Sequence, residues 1–208
     1  MKTNRLSGIY AITDEKWTPD EEVVEKVKTA LQHGASIIQY RNKSMTAEAQ
    51  EDICRQLLDA CRQAGGLFFI NDHIDLALKI GADGVHTGIN EGEIEQISQK
   101  INGQILWGVS CYGDLARAEE AVNAGADYVA FGAFFPSPTK PKAAVVPKEV
   151  IQEAKSKLKV PVAVIGGINQ ENISQLTPYS PDMYACVTAV FQGDIAENLN
   201  ALNGQMKA

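Results

Sequence analysis

Short apolar runs recur along the chain, four of them announced by a glycine, with polar residues collecting where runs end. Gly34-Ala35 precedes SIIQY, Gly65-Gly66 precedes LFFI, Gly81-Ala82 precedes DGVH and Gly125-Ala126 precedes DYVAFG. A glycine so placed can take the left-handed conformation that ends a helix before the chain enters a strand. The segments between the runs repeat their apolar residues at helical spacing. In TPDEEVVEKVKTALQHG, Thr18 reads as an N-cap, Pro19 as the first helical residue and Glu21 as the partner in a capping box. Val23, Val24, Val27, Ala30 and Leu31 then share one face. A second helix opens at Thr46 and stripes Ile53, Leu57, Leu58, Cys61 and Ala64 together.

This punctuation predicts strands near residues 8–13, 35–40, 67–71, 83–86, 105–109, 127–131, 161–165 and 182–187, with helices between them and a cramped one at Leu76 to Ile80. Short, mostly apolar strands suit a parallel sheet covered on both faces. Eight strand–helix units without a linker predict an α/β fold, a (β/α)8 TIM barrel occupying residues 1–208 as a single domain. An open doubly wound sheet is the alternative. A barrel requires its functional groups at the C-terminal ends of the strands.

Composition narrows the partners. With 19 Lys+Arg against 26 Asp+Glu the net charge is −7, which argues against a nucleic-acid partner, since phosphate backbones are gripped by surplus cations. A small phosphorylated ligand needs only a local cationic cluster. No apolar run approaches the roughly 18 residues of a membrane span, and the opening MKTNRLSGIYAITDEKW is too polar for a signal-peptide core. Cys54, Cys61, Cys111 and Cys186 include no CxxC pair. Reduced structural thiols in a cytoplasmic protein are the expectation, with a homo-oligomer compatible with the sequence.

Polar groups collect where the strands end. Gln39, Arg41 and Lys43 alternate in QYRNK, so an extended backbone would project them together. Arg and Lys in combination suit a diphosphate. Asn71-Asp72 closes the third strand: Asp72 could ligate a hard cation or cap the next helix, and Asn71 could donate to a ligand oxygen. His86 ends the fourth strand and reads as a structural, hydrogen-bonded imidazole before it reads as catalytic. Glu91 follows as a second carboxylate for one Mg2+, or as a first-turn helix residue. Ser110 ends the fifth strand, and Ser137, Thr139 and Lys140 lie in a proline-rich loop after the sixth. Gly166-Gly167 after the seventh strand, at the start of a following helix, and Thr188 after the eighth suit a phosphate.

In this order, IYAITD, QYRNK, FINDHIDLA, GADGVHTG, WGVS, GADYVAFGAFFPSPTK, VAVIGGI and CVTAV resemble the thiamine-phosphate synthase (thiamine phosphate pyrophosphorylase) family over nearly the whole chain. The resemblance implies a transferase that joins a hydroxymethylpyrimidine diphosphate to a thiazole phosphate, releasing pyrophosphate in an SN1-like, Mg2+-assisted reaction. It implies that Gln39, Arg41, Lys43, Asn71, Ser110 and Lys140 bind the pyrimidine diphosphate. It also implies that Arg41, Lys43, Ser110 and Lys140 among them act in catalysis. It further implies Mg2+ on Asp72 and Glu91, and the thiazole phosphate on Ser137, Pro138, Thr139, Gly167, Val187 and Thr188.

The chain departs from the family pattern in places. HTGINE stands where His-Leu-Gly-Gln-x-Asp is usual, so the carboxylate is kept as Glu91, one methylene longer, with Asn90 as an alternative ligand. Thr188 replaces a usual Ser and Ser137 a usual Thr, each keeping a hydroxyl. PKAAVV stands where the family often has a Lys-Asp-Ala run. Two rivals share the scaffold. The related thiazole tautomerase uses a histidine shortly after the Ser110 position, where this chain has Tyr112, a poor base near neutral pH. A non-catalytic phosphate-ligand regulator is the other.

Overall fold

The computed structural model describes residues 5–136 and 144–206. Strands β1 (Gly8–Ile12), β2 (Ala35–Tyr40), β3 (Leu67–Asn71), β4 (Gly84–Thr87), β5 (Leu106–Tyr112), β6 (Tyr128–Phe131), β7 (Val162–Ile165) and β8 (Met183–Cys186) pair in chain order into a closed barrel. All neighbouring pairs are parallel, β1 with β8 included. Helices α1 (Val23–Gln32), α2 (Ala47–Ala64), α3 (Ile74–Ile80), α4 (Ile94–Ile101), α5 (Leu115–Asn123) and α6 (Glu149–Lys157) surround it. Two 3-10 turns, Ile173–Gln175 and Thr177–Tyr179, link β7 to β8, and α7 (Thr188–Phe191) and α8 (Ile195–Met206) follow.

Alternation along the strands divides the core in two. Outward residues such as Ile9, Ile38, Phe68, Val85, Val129 and Val164 pack under the helices. Inward residues fill the barrel, chiefly Tyr10, Ile37, Leu67, Phe69, Leu106, Tyr128 and Met183. Three aromatic rings form its middle layer, with centroids 6.0 Å apart for Tyr10–Phe69, 6.1 Å for Tyr10–Tyr128 and 5.7 Å for Phe69–Tyr128. Their bulk dictates small residues opposite. A Cβ on Gly84 would fall 2.3 Å from the Phe69 ring, and one on Gly108 2.0 Å from the Tyr128 ring.

The lower rim is stapled by aspartates that stand just before alternate strands. Asp83, Asp127 and Asp182 accept the backbone N–H of Phe68, Trp107 and Val162 through side-chain oxygens at 3.0, 2.8 and 2.8 Å. Each carboxylate thus ties the strand it introduces to the one before it in the barrel.

Helix starts show one correction. Thr46 caps α2, accepting the Ala49 N–H at 3.4 Å. Thr18 does not cap α1. Its hydroxyl accepts from the Asp14 N–H and donates to the Asp14 carbonyl, both at 2.9 Å, closing the loop after β1 instead. The helix begins at Val23 with no side-chain cap, because residues Pro19 to Glu22 form a turn closed by Glu22 N–H on the Pro19 carbonyl. A second correction concerns β7, which is followed by the 3-10 turns and not by an α-helix. Of the five residues the spacing puts on one face of α1, Val23, Val27, Ala30 and Leu31 are buried and Val24 is half-buried at the edge of the core.

Candidate active site

The exit of β2 presents the first cluster. Gln39 points into the barrel, 2% exposed, and donates its amide N–H to the Tyr10 hydroxyl at 2.6 Å. Extended backbone ends at Tyr40, so alternation does not carry on to Lys43. A turn organised by Asn42 replaces it: Asn42 Oδ1 accepts the N–H groups of Ser44 and Met45, each at 3.0 Å. Gln50 on α2 fastens the same turn by donating to the carbonyls of Asn42 and Met45. Buried Thr13 accepts the Arg41 N–H, and Glu15 accepts the Lys43 N–H at 2.6 Å. That last bond holds the Glu15 carboxyl below the usual carboxylate range. Arg41 is thereby held half-buried and Lys43 exposed at the rim.

At the β3 exit, Asp72 adopts the left-handed region with φ 64°, a conformation uncommon for a residue with a side chain. It is not a helix cap: α3 is preceded by His73, and no side chain caps it. Asp72 instead accepts from the Asn71 amide at 2.6 Å and lies 3.9 Å from Lys43 Nζ. Burial and then the nearby Glu91 carboxylate push its pKa up, while Lys43 pulls the other way. Glu91 precedes α4, which starts at Ile94, so it is not a first-turn residue; its carboxylate accepts the Asn90 N–H at 3.1 Å. Asp72, its charge disfavoured by burial and by a second carboxylate nearby, is a donor whose position a divalent cation would relieve. Mg2+ commonly takes one or two carboxylates and completes its shell with water and phosphate oxygens. The residues therefore fit that ion, although no cluster of three or more His, Cys, Asp or Glu is present among the described residues.

Behind this rim runs a line of buried polar groups. The Tyr10 and Tyr128 hydroxyls are 2.8 Å apart, Tyr128 Oη lies 2.8 Å from His86 Nδ1, and His86 Nε2 lies 2.9 Å from Ser110 Oγ. His86 is thus the hydrogen-bonded imidazole its position suggests. Burial raises the pKa of both tyrosines, so both phenols stay neutral. Neither tyrosine is marked out in the sequence, because tyrosine in an apolar strand reads as core. Arg117 on α5 is a second omission. Its guanidinium donates to the carbonyls of Ser110 and Gly88, each at 3.1 Å, and braces the exits of β4 and β5.

On the other side of the mouth, Gly166 and Gly167 follow β7 with φ of 100° and 66°. A Cβ on Gly167 would sit 2.5 Å from the Pro136 carbonyl oxygen, so the pair admits the backbone of the loop leaving β6. Phe134 and Phe135 donate N–H to the carbonyls of Ile165 and Gly166 there. Val187 and Thr188 stand next to them at the start of the short α7, since β7 and β8 are paired with Ile165 opposite Ala185. Ser137, Pro138, Thr139 and Lys140 lie outside the described residues. No helix among the described residues is long and apolar enough to cross a membrane.

Comparison with known proteins bears on this arrangement. Residues 9–190 match the family model described as thiamine monophosphate synthase. The chain is 39% identical over 198 residues to the thiamine-phosphate synthase of Wolinella succinogenes, covering 95% of this chain and 91% of that one. It is 38% identical over 208 residues to the thiamine-phosphate synthase of Alcanivorax borkumensis, covering 100% and 96%. Among solved structures, thiamine phosphate pyrophosphorylase from Pyrococcus furiosus superposes with a TM-score of 0.88 at 33% identity, covering 99% of this chain and 97% of that one. A closed eight-stranded barrel, polar strand exits and likeness over almost the full length together show that this chain belongs to the thiamine monophosphate synthase family.

Proposed function

We propose that this protein is a transferase forming thiamine phosphate from 4-amino-2-methyl-5-hydroxymethylpyrimidine diphosphate and 4-methyl-5-(2-phosphoethyl)thiazole, the thiazole carboxylated or not. The observation that carries the reading is the juxtaposition of Lys43, Asp72 and Glu91 at neighbouring strand exits, a cation beside two mutually repelling carboxylates. Such a set suits a diphosphate that arrives with a divalent ion. Asp72 and Glu91 would hold Mg2+, with Asn90 beside them; the ion when bound offsets charge on the diphosphate oxygens.

The chemistry asks for little acid–base work. The bond between the pyrimidinylmethyl carbon and the diphosphate oxygen breaks, and its electron pair leaves with pyrophosphate. The thiazole nitrogen lone pair then forms the new carbon–nitrogen bond. Arg41, Lys43 and Lys140 meet the charge that develops on the leaving group, an effect commonly worth about 10²–10³ in rate per donor. Gln39, Asn71 and Ser110 orient the pyrimidine diphosphate. Ser137, Pro138, Thr139, Gly167, Val187 and Thr188 receive the thiazole phosphate across the mouth, so that confinement of both substrates supplies proximity. With four buried thiols we place the protein in the cytoplasm, where thiols stay reduced.

The test mixes both substrates with Mg2+ and follows pyrophosphate. Release that requires both substrates and the metal is expected. Thiazole isomerisation without pyrophosphate would replace this reading with the tautomerase, and tight binding without product would replace it with a regulator.

A further inference from the structure

Gln39 and Ser110 stand on β2 and β5, yet the buried line between them is continuous. Gln39 Nε2 reaches Tyr10 at 2.6 Å, Tyr10 reaches Tyr128 at 2.8 Å, Tyr128 reaches His86 Nδ1 at 2.8 Å, and His86 Nε2 reaches Ser110 at 2.9 Å. Four hydrogen bonds thus join side chains from β1, β2, β4, β5 and β6. Tyr10 and Tyr128 are 1% and 0% exposed, so water does not compete at the centre of the line.

Counting protons sets its direction. An amide nitrogen only donates, so Tyr10 Oη accepts from Gln39. Tyr10 has a single proton, and Tyr128 Oη is the acceptor within reach. If Tyr128 donated to Tyr10 instead, the Tyr10 proton would be stranded in a buried site, which native interiors avoid. Tyr128, having accepted from Tyr10, gives its own proton to His86 Nδ1. The imidazole is then neutral with its proton on Nε2, and that N–H donates to Ser110 Oγ. With one lone pair taken, the Ser110 hydroxyl keeps its proton for whatever occupies the mouth.

We propose that Tyr10, Tyr128 and His86 are positioning residues that wire Gln39 to Ser110 in one direction, so that the mouth meets the pyrimidine substrate with a preset hydroxyl donor on β5. The role in turnover rests on the activity proposed above; the wiring itself does not. Hydrogen bonds in such a line reinforce one another, and a break at its middle is felt at the ends.

The closing experiment therefore has two arms. The first uses 15N-histidine labelling of the ligand-free protein at pH 7, where three histidines give a simple spectrum. His86 is expected as a single neutral tautomer, Nδ1 pyridine-like and Nε2 pyrrole-like, and Tyr128→Phe is expected to give a mixture. A wild-type His86 with the opposite tautomer, or protonated on both nitrogens, overturns the proposal, as does a Tyr128→Phe spectrum identical to wild type. The wild-type spectrum alone decides the direction should the variant fold poorly.

The second arm measures pyrophosphate release. Tyr128→Phe is expected to lower kcat about tenfold, the loss of roughly one networked hydrogen bond, with the KM for thiazole phosphate unchanged. In a Ser110→Ala background the same substitution is expected to change kcat by less than about twofold, since its effect passes through Ser110. Tenfold losses that multiply independently overturn the wiring. An inactive wild-type protein whose His86 shows the expected tautomer would instead refute the proposed activity and leave the wiring standing.

Discussion

Alanine at Gly108 would put a methyl carbon 2.0 Å from Tyr128 Cζ and 2.3 Å from its Oη. Carbon atoms settle at about 3.5–4.0 Å, so the ring has to retreat by roughly 1.5 Å. It has nowhere to turn. Its hydroxyl is held at 2.8 Å by both Tyr10 and His86, and its edge packs on Phe69. A retreat of that size stretches both bonds past the range in which hydrogen bonds hold. Overpacking a core costs about 1–3 kcal/mol, and a buried hydroxyl left without a partner about 1–3 kcal/mol. The two overlap, since the shift that relieves the clash is the one that breaks the bonds, so we expect about 3 kcal/mol in total. For a chain of 208 residues one kcal/mol moves Tm by about 2–4 °C, giving a fall of about 6–12 °C. Circular dichroism melts, with urea denaturation as the equilibrium check, measure it. Gly204→Ala is the control: it lies in α8 with nothing within 4 Å of the new Cβ. It should raise stability by about 0.5–1 kcal/mol through helix propensity alone. A Gly108→Ala protein that melts within about 1 °C of the parent would falsify the claim that these rings are locked.

Three further outcomes are expected. Asp72→Asn should raise the Mg2+ concentration for half-maximal activity by at least about tenfold, by analogy with losses at the supporting groups of metal sites; an unchanged metal titration would remove Asp72 from the site. Lys140→Ala should lower kcat by about 10²–10³ with little change in the KM for thiazole phosphate if, as proposed, its charge acts on the departing pyrophosphate; wild-type turnover would take Lys140 out of the mechanism. Burial pushes the thiols of Cys54, Cys61, Cys111 and Cys186 up to about 12. Native protein at pH 8 should therefore resist iodoacetamide until urea unfolds it, and rapid labelling of the folded protein would show that these sites open locally.

How much of this was legible beforehand depends on the range of each interaction. Strand positions were readable because apolar runs and glycine stops are local: β2 and β3 run from Ala35 to Tyr40 and from Leu67 to Asn71, on the residues their pattern marks. Strand exits were readable too, and the fold sets Lys43 3.9 Å from Asp72 with the Glu91 carboxylate near enough to act on it. Thr18 misled because its hydroxyl can serve a cap or a turn, and only the path of the loop after β1 settles the choice on Asp14. Arg117 could not be found, since its partners, Ser110 and Gly88, are carbonyls at the exits of other strands.

By itself the sequence determined the repeat of strands and helices and where most strands lie, because those follow from bond geometry and residue preference over a few residues. Tertiary structure alone decided which inward groups meet. Tyr10 and Tyr128 are 118 residues apart in the chain and 2.8 Å apart at their hydroxyls, a distance set by barrel closure and by the rings that fill it. Local chemistry specifies elements, while through-space pairing of buried polar groups waits on the register in which those elements close.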